Sequence, residues 1–120
     1  MTMTVADPLI QATLLAEALE NGPVAIFVLG DDLRYVAVNR LACELLGYER
    51  EELLGLTARD IAPDVNVDEV LLHVIRDGRR NGRSTLRRKD GESVEVEFRA
   101  TETLVAGVPF FVSACWHVDD

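Results

Sequence analysis

Apolar positions recur first at helical spacing. Leu9, Ile10, Ala12, Leu15, Ala16 and Leu19 share one broad face. Asp7-Pro8 reads as an N-cap followed by proline at the first helical position, and Asn21-Gly22-Pro23 stops the helix near Glu20. A helix this apolar must pack on its own domain or on a second copy. Ala25–Leu29 and Arg34–Val38, joined by a turn at Gly30-Asp31-Asp32, read as a hairpin. Asn39 is placed to cap a short helix, its side-chain oxygen accepting from a free amide one turn on. Leu41, Leu45 and Leu46 form that helix's stripe and Gly47 supplies a left-handed stop. A second short helix spans Glu49–Leu54 and ends at Gly55, and Thr57–Ile61 is at most one turn. Such short helices do not persist alone in water, so they lie against something larger.

A longer helix is predicted from about Val67 to Arg80. Asp68 and Glu69 sit in its first turn and Arg76, Arg79 and Arg80 in its last, as its macrodipole favours. Val70, Leu71, Val74 and Ile75 form its expected buried face. The period then falls to two: Val94, Val96 and Phe98 alternate with Glu95, Glu97 and Arg99. A three-residue loop, Asp90-Gly91-Glu92, pairs Leu86 with Val96 and Arg87 with Glu95, and keeps apolar residues on one face. A two-residue turn at Ala106-Gly107 pairs Phe98 with Cys115 and Ala100 with Ser113. The last strand then buries Phe111, Ser113 and Cys115. Its other face, Phe110, Val112, Ala114 and Trp116, is too apolar to stay wet and marks an interaction surface. The expected fold is α+β, an antiparallel sheet of about five strands with short helices across one face.

Composition narrows the function. A chain of 120 residues makes one domain with a real core. The net charge of −9 argues against a nucleic-acid partner, and the basic run Arg79, Arg80, Arg83, Arg87, Arg88, Lys89 reads as a helix end followed by a solvated strand face. Cys43 and Cys115 make no disulfide framework and sit among apolar residues as small hydrophobes. No stretch is long and apolar enough to span a membrane. The start MTMTVADPL lacks a signal peptide's basic and apolar segments, so a cytoplasmic location is expected. Ser84, Ser93 and Ser113 have no nucleophile-elbow context. Cys43, Cys115, His73 and His117 show no metal-ligand spacing. No enzymatic activity and no metal are expected.

Three motifs at this order and spacing, Asn39 with Gly47-Tyr48, Glu52-Leu53-Leu54-Gly55, and Lys89-Asp90-Gly91, resemble the PAS family of sensory domains. The likeness runs from about Pro23 to Val118, which divides the chain into a flanking helix (1–22) and a PAS domain (23–120). The resemblance implies a ligand cavity between the helices and the concave face of the sheet. The residues expected to face it are Phe27, Leu29, Ile61, Leu72, Ile75, Leu86, Val96, Phe98, Phe111, Ser113 and Cys115. This lining suits a small apolar or weakly polar molecule, such as a fatty acid or an aromatic compound. The alternative is a filled core in which Phe27, Phe98 and Phe111 occupy the space.

The resemblance also bears on cofactors and partners. Haem-binding members carry a histidine on the long helix near the position of Asp68, and His73 falls about a turn later. Flavin photosensors carry a reactive cysteine near Thr57–Ile61, absent here, and a glutamine where Cys115 stands. Neither haem nor flavin is expected. The Asp of the usual Asp-Ile-Thr-like link to an output module is replaced in the run His117-Val118-Asp119. The implied function is a sensory domain of two-component or transcription regulation, acting on an output domain or partner protein. The alternative is a ligand-free dimerisation and protein-interaction module. A homodimer is expected through Leu9, Ile10, Leu15 and Leu19 of the first helix and the Phe110, Val112, Ala114, Trp116 face.

Overall fold

The order of elements follows from where each stretch can satisfy its backbone. A computed structural model describes residues 7–118; Asp119 of the C-terminal run and the outer ends of both expected segments (1–6 and 119–120) lie outside the described residues. The elements are α1 (Pro8–Glu20), β1 (Ala25–Leu29), β2 (Tyr35–Val38), α2 (Arg40–Leu46), α3 (Arg50–Leu53), α4 (Ala58–Ile61), α5 (Val67–Asp77), β3 (Arg79–Arg87), β4 (Ser93–Val105) and β5 (Val108–His117). The strands form one sheet in the order β2-β1-β5-β4-β3, every neighbouring pair antiparallel. The fold is thus α+β, with α2 to α5 between the second and third strands.

Asn39 joins four segments. Its Oδ1 accepts from the Ala42 amide at 3.1 Å, as an N-cap should, and also from the Ile26 amide at 2.8 Å. Its Nδ2 donates to the carbonyls of Leu19 (2.7 Å) and Val24 (2.9 Å). The side chain therefore ties the end of α1, the entry to β1 and the start of α2 to the end of β2, which it follows, and among the described residues it is the buried polar one, 5% exposed. Gly47, at φ 80°, ends α2 in the left-handed conformation. Leu46 and Leu53 are fully buried between these short helices and the sheet. Each such leucine contributes about 1.5–3 kcal/mol on transfer from water.

Two distant motifs of the sequence meet here. Lys89 donates its amide to the Leu46 carbonyl at 2.9 Å, and its Nζ reaches the Glu52 carboxylate at 2.8 Å. Glu52 in turn accepts from the Glu49 amide, closing the cap of α3.

The β4–β5 register is the one the turn requires, with Phe98 opposite Cys115 and Ala100 opposite Ser113. Ala106 and Gly107 both have positive φ, 52° and 78°, which is the twist a two-residue hairpin needs. The β3–β4 register differs from expectation. Leu86 pairs with Val94 and Arg87 with Ser93, two residues away from the expected pairing. The loop is three residues long but comprises Lys89-Asp90-Gly91, closed by the Arg88 amide on the Glu92 carbonyl at 2.8 Å. Gly91, at φ 90°, takes the left-handed third position. A two-residue displacement preserves the faces, so Leu86, Val94 and Val96 still point inward.

Two further expectations are corrected. Arg79 and Arg80 do not end α5; Gly78, at φ 84°, terminates it and both arginines begin β3. Leu72 and Ile75 do not face inward and are 66% and 56% exposed. Val67, Val70 and Val74 turn α5 toward the sheet, which points positions 72 and 75 to the other side. Of the two covers expected for α1, its own domain or a second copy, the first is not what the structure shows. It has no buried residue, and Leu9, Leu15 and Leu19 are largely exposed, together with Leu14. Its last turn is held by Asn39 and by an ion pair of Glu20 with Arg50. The outer sheet face therefore stays uncovered: Phe110, Val112 and Ala114 are half-buried and Trp116 is exposed, its Nε1 donating to Glu97 at 2.9 Å.

Candidate functional site

The inward residues of the sheet meet α4 and the start of α5 around a cavity of about 100 Å³. β1 supplies Phe27 and Leu29, β2 Tyr35, β3 Ser84 and Leu86, β4 Val96, Phe98 and Ala100, and β5 Ser113 and Cys115. Ala58, Ile61 and Ala62 close one side, and Val65, Val67 and Val70 another. The strand residues are spaced by two, so a single face of each strand builds the wall. Gly82, opposite Phe98, has a local reason: a Cβ there would lie 3.1 Å from the Phe98 ring. The glycine lets that ring lie across β3 at the cavity's edge.

Of the residues singled out from sequence, Phe27, Leu29, Ile61, Leu86, Val96, Phe98, Ser113 and Cys115 line the cavity. Leu72 and Ile75 do not, being on the outer side of α5. Phe111 is buried, 5% exposed, but packs in a second cluster with Val74 and Ala100. Sequence reasoning missed Tyr35, Ala58, Ala62, Val65, Val67, Val70, Ser84 and Ala100. Ser84 and Ala100 were within reach of the alternation rule, each two positions from a residue already placed inward. Val67 and Val70 carry the i, i+3 signal of the true buried face of α5.

The chemistry of the cavity is quiet. No charged residue lines it, and the lining residues with polar side chains are Tyr35, Ser84, Ser113 and Cys115. Ser113 Oγ and Cys115 Sγ are 3.5 Å apart. Burial pushes the Cys115 thiol up to about 11, with the Ser113 contact opposing weakly. Burial, with Cys115 and Asp60 adding to it, raises the Tyr35 phenol well above its ordinary range. Both groups are protonated at neutral pH.

Because the folded state holds the Cys115 proton longer than the unfolded chain, unfolding releases a proton once the pH passes the usual thiol value of 9.0. This contribution is complete below pH 9 and lost as the pH rises toward 11. Denaturant unfolding at pH 8 and pH 10.5 is expected to show a loss of about 2 kcal/mol from this thiol. Cys115→Ala is expected to flatten the larger part of the decline, Tyr35 accounting for a smaller part because its ordinary value lies higher, at 10.0. Superimposable pH profiles for the two proteins are the outcome that defeats the buried-thiol account.

The cavity's volume is well below the roughly 300 Å³ at which drug-sized sites begin. His73 does not line it; its Nε2 pairs with Asp77 of the same helix at 2.8 Å. Among the described residues no cluster of three or more His, Cys, Asp or Glu side chains is arranged for a metal. No described helix is long and apolar enough to cross a membrane.

Comparison with known proteins agrees with the geometry. The chain is similar to a PAS domain from a two-component sensor histidine kinase, at 21% identity and a TM-score of 0.80, covering 93% of this chain and 100% of that one. It is similar to the PAS domain of an HTR-like protein from Haloarcula marismortui, at 25% identity and a TM-score of 0.79, covering 90% and 92%. A PAS domain from Colwellia psychrerythraea superposes with a TM-score of 0.82 at 18% identity, covering 90% and 97%. No curated protein matches the chain. The sequence profile described as the PAS fold matches residues 19–103, and the chain belongs to that family.

Proposed function

We propose that this chain is a sensory, signal-transducing PAS module that holds a compact apolar or weakly polar molecule between sheet and helices. The observation that supports this reading is the unfilled cavity: Phe27 and Phe98 stand at its wall rather than in its middle. Its size narrows the earlier expectation, favouring a compact molecule over a fatty acid. The similarity to a PAS domain of a two-component sensor kinase supports a signalling context with an output domain or partner protein. A cytoplasmic location accords with this role. The test is native mass spectrometry of the purified protein without added ligand. Extra mass on the polypeptide supports the sensor and identifies the molecule by difference. Bare polypeptide, with no melting shift across a library of compact molecules, favours the ligand-free interaction module.

The output surface of this reading is a homodimer. α1 carries exposed Leu9, Leu15 and Leu19 with half-buried Ile10, and an isolated helix of 13 residues is marginal in water. The Phe110, Val112, Ala114, Trp116 row is continued by Ile26 and Val28 of β1, paired with Ala114 and Val112. Each surface needs a cover, and each suits the other across two copies. Deleting residues 1–21 is expected to give a monomer or an aggregating protein by sedimentation. A truncated chain that stays a soluble dimer refutes the helix-mediated arrangement.

A further inference from the structure

We propose that Tyr35 is the polar anchor of the cavity, selecting an uncharged ligand with one hydrogen-bond acceptor: a ketone, aldehyde or ether of about six heavy atoms. This rests on the reading of the cavity as a ligand site. Tyr35 is 6% exposed and lines the cavity, yet its hydroxyl has no hydrogen-bond partner among the described residues. The hydroxyl is not one of the fully enclosed unpartnered atoms, so it keeps accessible surface and is free to donate to an acceptor placed in the void.

The rest of the residue is fixed. Its amide donates to the Leu56 carbonyl at 3.2 Å, and its ring lies 5.5 Å from that of Phe27 at a 50° tilt. The phenol is thus held in place before any ligand arrives, which lowers the ordering cost of binding. Ser113 Oγ and Cys115 Sγ contact each other at 3.5 Å, one donating to the other, and Ser84 adds a second serine hydroxyl to the wall, from β3. The phenol remains protonated across the physiological range, so it donates and does not accept a proton.

Charge and size restrict the ligand further. No cationic side chain lines the wall to offset a carboxylate or phosphate, and Asp60 acts on the phenol from nearby. An anion is therefore excluded on desolvation grounds. A void of about 100 Å³ is smaller than an engineered 150 Å³ cavity that admits benzene, which sets the ligand at about that size or below.

The experiment compares cyclopentanone with cyclopentane, alike in shape and different in one acceptor, on the full chain and on Tyr35→Phe. Methyl resonances of Ile61, Leu86 and Val96 report occupancy, and xenon serves as an apolar control. Cyclopentanone is expected to bind the wild type at least about tenfold more tightly than Tyr35→Phe, as one satisfied buried hydrogen bond implies. Cyclopentane is expected to bind both alike. The Tyr35 ring Cζ resonance should move with the ketone and not with the hydrocarbon, a readout that stands even where the variant folds poorly. Equal ketone binding by both proteins, or an unmoved Cζ resonance, overturns the anchor while leaving the cavity reading intact. If ketone, hydrocarbon and xenon all leave the methyl resonances unchanged, the cavity reading fails and the anchor with it.

Discussion

Replacing Asn39 with alanine should destabilise the domain by at least about 3 kcal/mol, a fall of roughly 10–20 °C in melting temperature. The reason is the number of buried backbone groups one side chain satisfies. Ile26 and Ala42 lose an acceptor, and Leu19 and Val24 lose a donor, where little water can replace them. A helix cap alone accounts for about 1 kcal/mol of this. Asn39→Asp separates the contributions, since its carboxylate keeps both amide bonds but faces the two carbonyls without a donor. It should recover only part of the loss. Hydrogen exchange at the Ile26 and Ala42 amides should quicken in Asn39→Ala and stay slow in Asn39→Asp. A loss below about 1 kcal/mol in the alanine variant would falsify the junction role and leave Asn39 an ordinary cap.

Phe111→Ala should cost about 3–5 kcal/mol, the range for removing a buried aromatic side chain. Its neighbours are Val74 and Ala100; Ala100 also lines the cavity, whereas Phe111 and Val74 do not. Equilibrium unfolding should therefore register a large change while any molecule carried by the wild type stays bound in native spectra at temperatures where the variant is folded. Phe98→Ala is the contrast. That ring lines the cavity, so its loss enlarges the space and changes what binds. A folded Phe111→Ala protein stripped of its ligand would show that the two clusters act as one, through the residues they share, Leu29 and Phe98.

The sheet was legible wherever a turn left one solution. Ala106-Gly107 admits a two-residue turn, and the β4–β5 register followed from it residue by residue. At Lys89-Asp90-Gly91 the inward face was legible but the loop's centre was not. Placing Gly91 last rather than in the middle shifts every pair by two without moving an apolar residue outward. Helix rotation was the weakest reading. Apolar residues at 67, 70, 71, 72, 74 and 75 surround most of α5, so hydrophobicity alone does not choose between the Val70–Val74 side and the Leu72–Ile75 side. Phe111 marks another limit. Alternation places a side chain on a face of a sheet, but it does not say which of two clusters on that face receives it. For α1 the pattern specified an apolar stripe and not its cover, because the cover is absent from this chain's own packing.

The sheet's far edge has a consequence for colloidal behaviour. β3 runs nine residues with one side unpaired, long enough to template a strand from another molecule. Arg79, Arg80, Arg83 and Arg87 are spread along it. Two such edges aligned antiparallel would set guanidinium groups against one another across the new ladder, and like charges directly opposite are repulsive. The arginines of this solvated strand face, of which Arg83 is also paired with Glu97, therefore weigh against edge-to-edge stacking. They do so in a protein whose overall charge is of the other sign, −9.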